Sequence, residues 1–290
     1  MLAAQLLAML TFLMLAALTV NFLKRYNVFK RLLYVQGGGT KGENHPKVCH
    51  KVLHLDEKIK RVLFVGDVHG CHDELVELLE LCEIDKEKRD ALVVLTGDLV
   101  NKGPKSVQTV RLVRSMGEVA LSVKGNHEQA VLRRLRSFKQ SSLEPPKKYT
   151  WITGLSFEDH AFLEELPYTI TIASLNVIVV HGGLVPGVKL QEQLPQNMIS
   201  MRNYVQDELL GTADIDQGLP WASQWRGPEV VIFGHDARRG FQKYRNTIGL
   251  DTGCLYGGRL TGLLVNLGDE DPLKTGRFMS VNAHGVYEKT

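Results

Sequence analysis

An α/β protein is predicted: two mixed β-sheets packed face to face as a sandwich, α-helices flanking them, and a membrane-spanning helix in front. Three observations predict this. From Arg61 onward, apolar runs of strand length alternate with segments at helical spacing. From Tyr168 onward strands dominate, which suits two packed sheets better than one open parallel sheet. Residues 2–23 form an uncharged apolar stretch.

That stretch, "LAAQLLAMLTFLMLAALTVNFL", holds only four clearly polar side chains, Gln5, Thr11, Thr19 and Asn21. About 20 apolar residues match the hydrocarbon thickness of a bilayer. The stretch is long for a signal-peptide core and lacks a basic flank before it, although a signal peptide or buried helix is the competing assignment. Lys24, Arg25, Lys30 and Arg31 follow, which by the positive-inside tendency puts the rest of the chain in the cytosol. Residues 1–34 are therefore read as an anchor and 35–60 as a linker, Gly-rich at "VQGGGTKGENHPK" (35–47). Residues 61–290 are read as the folded domain.

Within that domain "RVLFVG" (61–66), "ALVVLTG" (91–97) and "VALSVKG" (119–125) read as strands. The helical segments "ELVELLELC" (74–82), "SVQTVRLVRSM" (106–116) and "EQAVLRRLRSF" (128–138) alternate with them. "YTITIASLNVIVVHGG" (168–183) reads as a hairpin turning near Ser174, and residues 184–228 as a cap or loops over the site. Strands follow at 230–235, 246–251 and 258–267.

Composition is that of a globular protein, with 44% hydrophobic and 23% charged residues. A net charge of +3 is too small to argue for stable nucleic-acid binding. Cys49, Cys71, Cys82 and Cys254 have no zinc-ribbon or CxxC spacing and read as free thiols, with Cys254 a candidate for burial near the site.

Five apolar strands end in Gly plus a metal-capable residue: Gly66-Asp67-Val68-His69-Gly70, Gly97-Asp98, Gly125-Asn126-His127-Glu128, His181-Gly182-Gly183 and Gly234-His235. Ligands bind at the carboxyl ends of strands in α/β sheets, and Gly lets backbone approach them closely. Two Asp, one Asn and several His, without Cys, suit two divalent ions such as Zn²⁺, Mn²⁺, Fe or Mg²⁺. Asp98 is placed to bridge such a pair, about 3.5–4 Å apart.

These motifs, with "LDTGCLYGGRLTGLLV" (250–265), resemble the phosphoprotein-phosphatase branch of the calcineurin-like metallophosphoesterases over residues 61–267. The resemblance implies that Asp67, His69 and Asp98 hold one metal, and that Asp98, Asn126, His181 and His235 hold the other. It makes His127 the general acid. Protein Ser/Thr phosphatases carry Asp-Arg-Gly where this chain has Asn101-Lys102-Gly103, so no carboxylate supports His127 and a point charge replaces a forked clamp. That form is similar to the ApaH-like phosphatases, whose anchored members resemble fungal vacuolar zinc-dependent endopolyphosphatases.

The resemblance implies a polyanionic phosphate substrate. Cleavage of inorganic polyphosphate is the first expectation, with dinucleoside polyphosphates, capped RNA or phosphoproteins as alternatives and an inactive phosphate-binding module as a third reading. A single-pass anchor in the vacuole or another endomembrane follows from the same likeness, against the cytosolic side that the flanking charges favour. Lys102 and Arg202 are the expected phosphate clamps, with Arg226 competing for the second place. The basic runs at 133–148 and 238–245 are solvated faces or tracks for a polyanion. Tyr256 is a candidate pocket residue, and Trp221 and Trp225 either stack on a base or pack a helix.

Overall fold

The computed structural model describes residues 46–141, 145–206 and 210–289. The expected anchor and most of the Gly-rich stretch lie outside these residues. Among the described residues no helix is long and apolar enough to cross a membrane.

Fourteen strands are described. A six-stranded sheet has the order β1 (His50–Leu53), β5 (Thr169–Ile172), β6 (Val177–Val180), β10 (Val230–Phe233), β12 (Thr247–Gly249), β11 (Gln242–Lys243). A five-stranded sheet has the order β14 (Arg277–Asn282), β13 (Arg259–Asn266), β2 (Arg61–Val65), β3 (Ala91–Leu95), β4 (Ala120–Ser122). Both are mixed: β2, β3 and β4 run parallel with β13 antiparallel to them, while β6, β10 and β12 run parallel with β5 and β11 reversed. The expected hairpin is β5–β6.

Alternation within strands builds three apolar layers. Val62 and Phe64 of β2 and Val177 and Val179 of β6 face a shared interior with Ile232 and Val265, which is the core between the sheets. Leu63 and Val65 point the other way, onto α1 (His72–Leu81) and α2 (Ser106–Ser115). Ile178 and Val180 pack on the far side with Met198, Trp221 and Phe233. Strands buried on both faces lose polar alternation, which is why these runs read as continuously apolar.

Three departures from the sequence reading have physical causes. His50–Leu53, inside the expected linker, pairs parallel with β5 as an edge strand; its half-exposed HKVL carries too few apolar residues to announce itself. Residues 184–228 are more ordered than a set of loops. They contain two short helices (Pro195–Ser200 and Trp221–Gln224) and a three-stranded sheet of β7 (Asn203–Val205), β8 (Leu210–Thr212) and β9 (Leu219–Pro220). The last strand, β14, had no reading because "RFMSVN" is largely exposed.

Candidate active site

The strand ends converge. Asp67 and His69 follow β2, Asp98 follows β3, and Asn126 and His127 open α3 (Asn126–Ser141) after β4. His181 and His235 follow β6 and β10 of the other sheet. Asp98 Oδ2 lies 3.5 Å from His69 Nε2 and 3.3 Å from His181 Nε2. Asp67 stands 4.0 Å from His69 and 3.9 Å from His181. His181 Nε2 is 2.9 Å from Asn126 Oδ1. The six positions expected to hold two ions thus form one cluster, with Asp98 between the halves.

Backbone geometry explains the Gly-flanked motifs. A Cβ on Gly125 would strike the Asp98 carboxylate, and one on Gly234 would strike that of Asp67. Eight non-glycine residues among those described have positive φ, and five stand here: His69, Asp98, Asn101, Lys102 and His235. Such strain persists where surroundings over-determine it, and it concentrates at functional sites.

The donor chemistry fits divalent ions. Donors bound to one ion at about 2.1 Å lie roughly 3–3.5 Å apart, which is the spacing around Asp98 Oδ2. His181 Nδ1 donates to the Thr96 carbonyl (2.8 Å), His69 Nδ1 to Val100 (3.3 Å) and His235 Nε2 to Ser200 (3.0 Å). Each of these bonds fixes one ring nitrogen and turns the other toward the cluster, the orientation usual for metal-binding histidines. Asp98 Oδ1 is held by the His127 amide at 2.9 Å, which leaves Oδ2 free.

The electrostatics ask for positive charge. Burial acts to lower the His181 pKa, but Asp98 and Asp67 outweigh it and raise it to about 10. Burial acts to raise the Asp98 pKa, and His181 and His127 outweigh it, holding the carboxyl well below its usual range. Asp67 is pushed well up by burial and then by Asp251. Burial lowers the His69 pKa to about 3, so its ring is neutral.

His127 adjoins this cluster, with Nε2 3.9 Å from Asp98 Oδ2 and a donor atom within 4.8 Å of those of His69 and Asp98. Its Nδ1 meets Asn101 Nδ2 at 2.8 Å. The Asn101 amide cannot be reversed without loss, because its Oδ1 accepts from Lys102 N at 3.1 Å. Asn101 therefore donates and His127 Nδ1 accepts, which puts the imidazole proton on Nε2. Burial lowers the His127 pKa further, against the pull of Asp98.

A cleft of about 560 Å³ opens over the cluster. Lys102, Arg202, Arg238 and Lys289 bring positive charge to it, and Tyr256 brings the aromatic ring. Lys102 Nζ lies 3.0 Å from Tyr256 Oη. Arg202 is steadied by the His235 carbonyl at 3.2 Å and by Asp236, 3.7 Å from its Nε. Arg226 instead bonds the carbonyls of Ser223 and Trp225 and does not line the cleft. Trp221 and Trp225 are buried, with Trp221 edge-on to Phe233, so they pack rather than stack on a base. Of the 133–148 run, Arg134 sits 4.0 Å over the Tyr149 ring and Arg136 faces Glu164, and neither lines the cleft.

Two lining residues had no sequence signal, Glu288 and Lys289, while Asp251 and Thr252 lay inside the 250–265 motif without a role assigned to them. Glu128 was legible as part of the third motif but not in its duty. Its carboxylate accepts from the amides of Asp98 (2.9 Å), Gly125 (2.8 Å) and Val100 (3.3 Å), tying two metal loops together. Burial pushes its pKa up to about 7.

The profile of the calcineurin-like phosphoesterase family matches residues 60–252. The chain belongs to that family, in its ApaH-like branch, and is a metallophosphoesterase with a dinuclear site for divalent ions. It is 30% identical over 253 residues to a symmetrical bis(5'-nucleosyl)-tetraphosphatase of Aliivibrio fischeri strain MJ11, covering 68% of this chain and 92% of the relative. It is 26% identical over 244 residues to an asymmetrical bis(5'-nucleosyl)-tetraphosphatase of Halalkalibacterium halodurans, covering 74% and 96%. A crystal structure described as a candidate diadenosine tetraphosphatase superposes with a TM-score of 0.68 at 36% identity, covering 81% of this chain and 99% of that one. A yeast protein serine/threonine phosphatase, at 16% identity and a TM-score of 0.53, shares the fold.

Proposed function

We propose that this enzyme hydrolyses a phosphoanhydride bond of a dinucleoside polyphosphate. The relatives favour that substrate over the long-chain polyphosphate first expected from the motifs. The observation that carries the bond type is the Asn101–His127 hydrogen bond. An amide donating to Nδ1 leaves a neutral imidazole with its proton on Nε2. A neutral imidazole is a weak acid, poorly matched to an alkoxide leaving group. It suffices for a nucleotide phosphate, which leaves with little help.

Asp67, His69, Asp98, Asn126, His181 and His235 would hold two divalent ions (Zn²⁺, Mn²⁺, Fe or Mg²⁺), which would supply Lewis-acid activation of water and offset phosphate charge. The side chains do the rest. Arg202 and Lys102 hold nonbridging oxygens and orient the phosphorus. His127 Nε2–H protonates the leaving oxygen. Tyr256, partly exposed beside Lys102, offers an aromatic surface to a base.

Turnover of diadenosine tetraphosphate, long-chain polyphosphate and a phosphoserine peptide, each with Mn²⁺, Zn²⁺ or Mg²⁺, tests this. Diadenosine tetraphosphate should be cleaved fastest, and two ADP or ATP plus AMP would distinguish central from off-centre cleavage. Faster cutting of polyphosphate into mid-length chains would return the reading to an endopolyphosphatase. Attachment to a membrane through residues 2–23 is also proposed on their apolar length, with an endomembrane resting on the likeness to the anchored vacuolar enzymes. Deleting 1–34 should release a soluble, active enzyme; loss of solubility would make 2–23 part of a core.

A further inference from the structure

Two loops that shape the cleft each carry a cysteine that the chemistry above leaves unused. Cys71 stands two residues past His69 and precedes α1 without using its side chain as a cap. Cys254 stands three residues past Asp251 and two before Tyr256. Both are buried, at 0% and 1% exposure. Their sulfurs and a Glu74 carboxylate oxygen all lie within 4.8 Å of one another. Cys49 and Cys82 are the other free cysteines and are not part of this group.

The C-terminal segment, residues 283–289, is fastened beside the pair. Tyr287 Oη donates to Glu74 Oε1 at 2.8 Å, and His284 N donates to the same oxygen at 2.9 Å. Tyr287 and Glu288 amides both donate to the Leu255 carbonyl, at 3.0 and 3.2 Å. Tyr287 also packs on the apolar cluster that includes Cys71 and Cys254. Ala283 N also donates to the Gly258 carbonyl at 2.9 Å, His284 Nε2 meets Glu77 at 2.9 Å and Val286 bridges Tyr256. But His284, Val286 and Glu288 are exposed, where water competes with such ties and a segment can open locally.

We propose that Cys71 and Cys254 form a reversible disulfide, installed by a low-molecular-weight disulfide such as oxidised glutathione when the C-terminal segment lifts, and that this bond lowers turnover. One cysteine attacks the glutathione disulfide and releases one glutathione. The second cysteine then attacks the mixed disulfide and releases the other. Two protein thiols are oxidised, one glutathione disulfide is reduced to two glutathiones, and the two thiol protons pass to the released thiolates. Bonding draws the sulfurs to about 2 Å. The loops have little slack to absorb this. His69 sits at φ 50°, Gly253 at φ 70°, and a Cβ on Gly103 would strike the His69 carbonyl. The displacement passes to His69 on one side and to Tyr256 with its partner Lys102 on the other.

The test uses the full chain treated with oxidised glutathione, then alkylated and mapped by mass spectrometry, with turnover of a chromogenic phosphate ester followed in parallel. The expected result is one peptide pair linking Cys71 to Cys254, a fall in turnover of about tenfold or more, the scale of disturbing groups behind metal ligands, and recovery with dithiothreitol. Cys254→Ala and Cys71→Ser should each abolish the sensitivity, whereas a Cys49→Ser/Cys82→Ser double variant should keep it. Tyr287→Phe, which removes one fastening, should speed linkage. Absence of the linked pair, linkage through Cys49 or Cys82, or linkage without a change in turnover would each overturn the proposal. The mapping needs no substrate, so it stands whichever phosphate the enzyme prefers.

Discussion

Asp98 and Arg238 line the same cleft under opposite constraints. Asp98 is 2% exposed, held by the His127 amide and flanked by three histidines. Arg238 is exposed, as are Lys102, Glu288 and Lys289 around it. The floor is a buried, cross-braced set drawn from the ends of strands in both sheets. The rim comes from loops and the chain terminus and meets water. Charges on the floor act through low dielectric and cannot move, whereas those on the rim are screened and mobile. Floor substitutions should therefore abolish chemistry, and rim substitutions should tune it.

The largest expected effect is at the centre of the floor. Asp98→Asn keeps the shape but removes the shared carboxylate between His69 and His181. Turnover should fall by more than about 10³-fold, beyond the cost of losing one charge-stabilising donor, while thermal unfolding still shows a cooperative transition. Activity within tenfold of the parent would dissolve the two-ion assignment. Next comes His127→Ala, expected to lower the rate by about 10²–10⁴-fold, the range for a general acid. The loss should be larger on an alkyl monoester than on an anhydride, and equal losses would remove the significance of the Asn101 hydrogen bond.

Glu128→Gln separates bracing from chemistry. Glu128 touches no reacting atom but accepts three amides from the loops that carry Asp98 and Asn126. A Gln keeps the oxygen for part of that set and turns one acceptor into a donor facing an amide. A loss of about 10–100-fold in activity or metal affinity is expected, visible as a higher metal concentration at half-maximal rate. An unchanged metal titration would make the brace dispensable.

The floor was readable in the sequence as a set, whereas the rim showed only single candidates such as Lys102, Arg202 and Tyr256, for a physical reason. Each floor residue sits where a strand must stop, turn and come within contact distance of another loop. Only Gly fits beside Asp98 and Asp67, so Gly125 and Gly234 print the geometry into the chain. Glu128 was visible but silent, because three backbone amides leave no pattern in side-chain identity. Arg202 was legible as a lone basic residue, yet only the packing of Asp236 and the His235 carbonyl separates it from Arg226. Glu288 and Lys289 reach the cleft because Tyr287 and Val286 tie the terminus to residues 255 and 256, pairings that no local spacing encodes. The fold follows the same rule: strands buried on both faces were found, and the half-exposed edges β1 and β14 were not.

The smallest expected effect tests the rim on its own terms. Glu288 places a negative charge among Lys102, Arg202, Arg238 and Lys289, where an anionic substrate must enter. It is exposed, so its repulsion of a polyphosphate acts through water and fades over roughly 10 Å at moderate salt. Glu288→Gln removes that repulsion without touching a reacting atom or a floor hydrogen bond. KM should drop by about twofold to fivefold, the scale of an exposed charge interaction, with kcat unchanged. High salt should erase the difference, since screening does to the parent what the substitution does to the variant. A change in kcat, or a gain that survives high salt, would place Glu288 with the floor and collapse the distinction between the two regions.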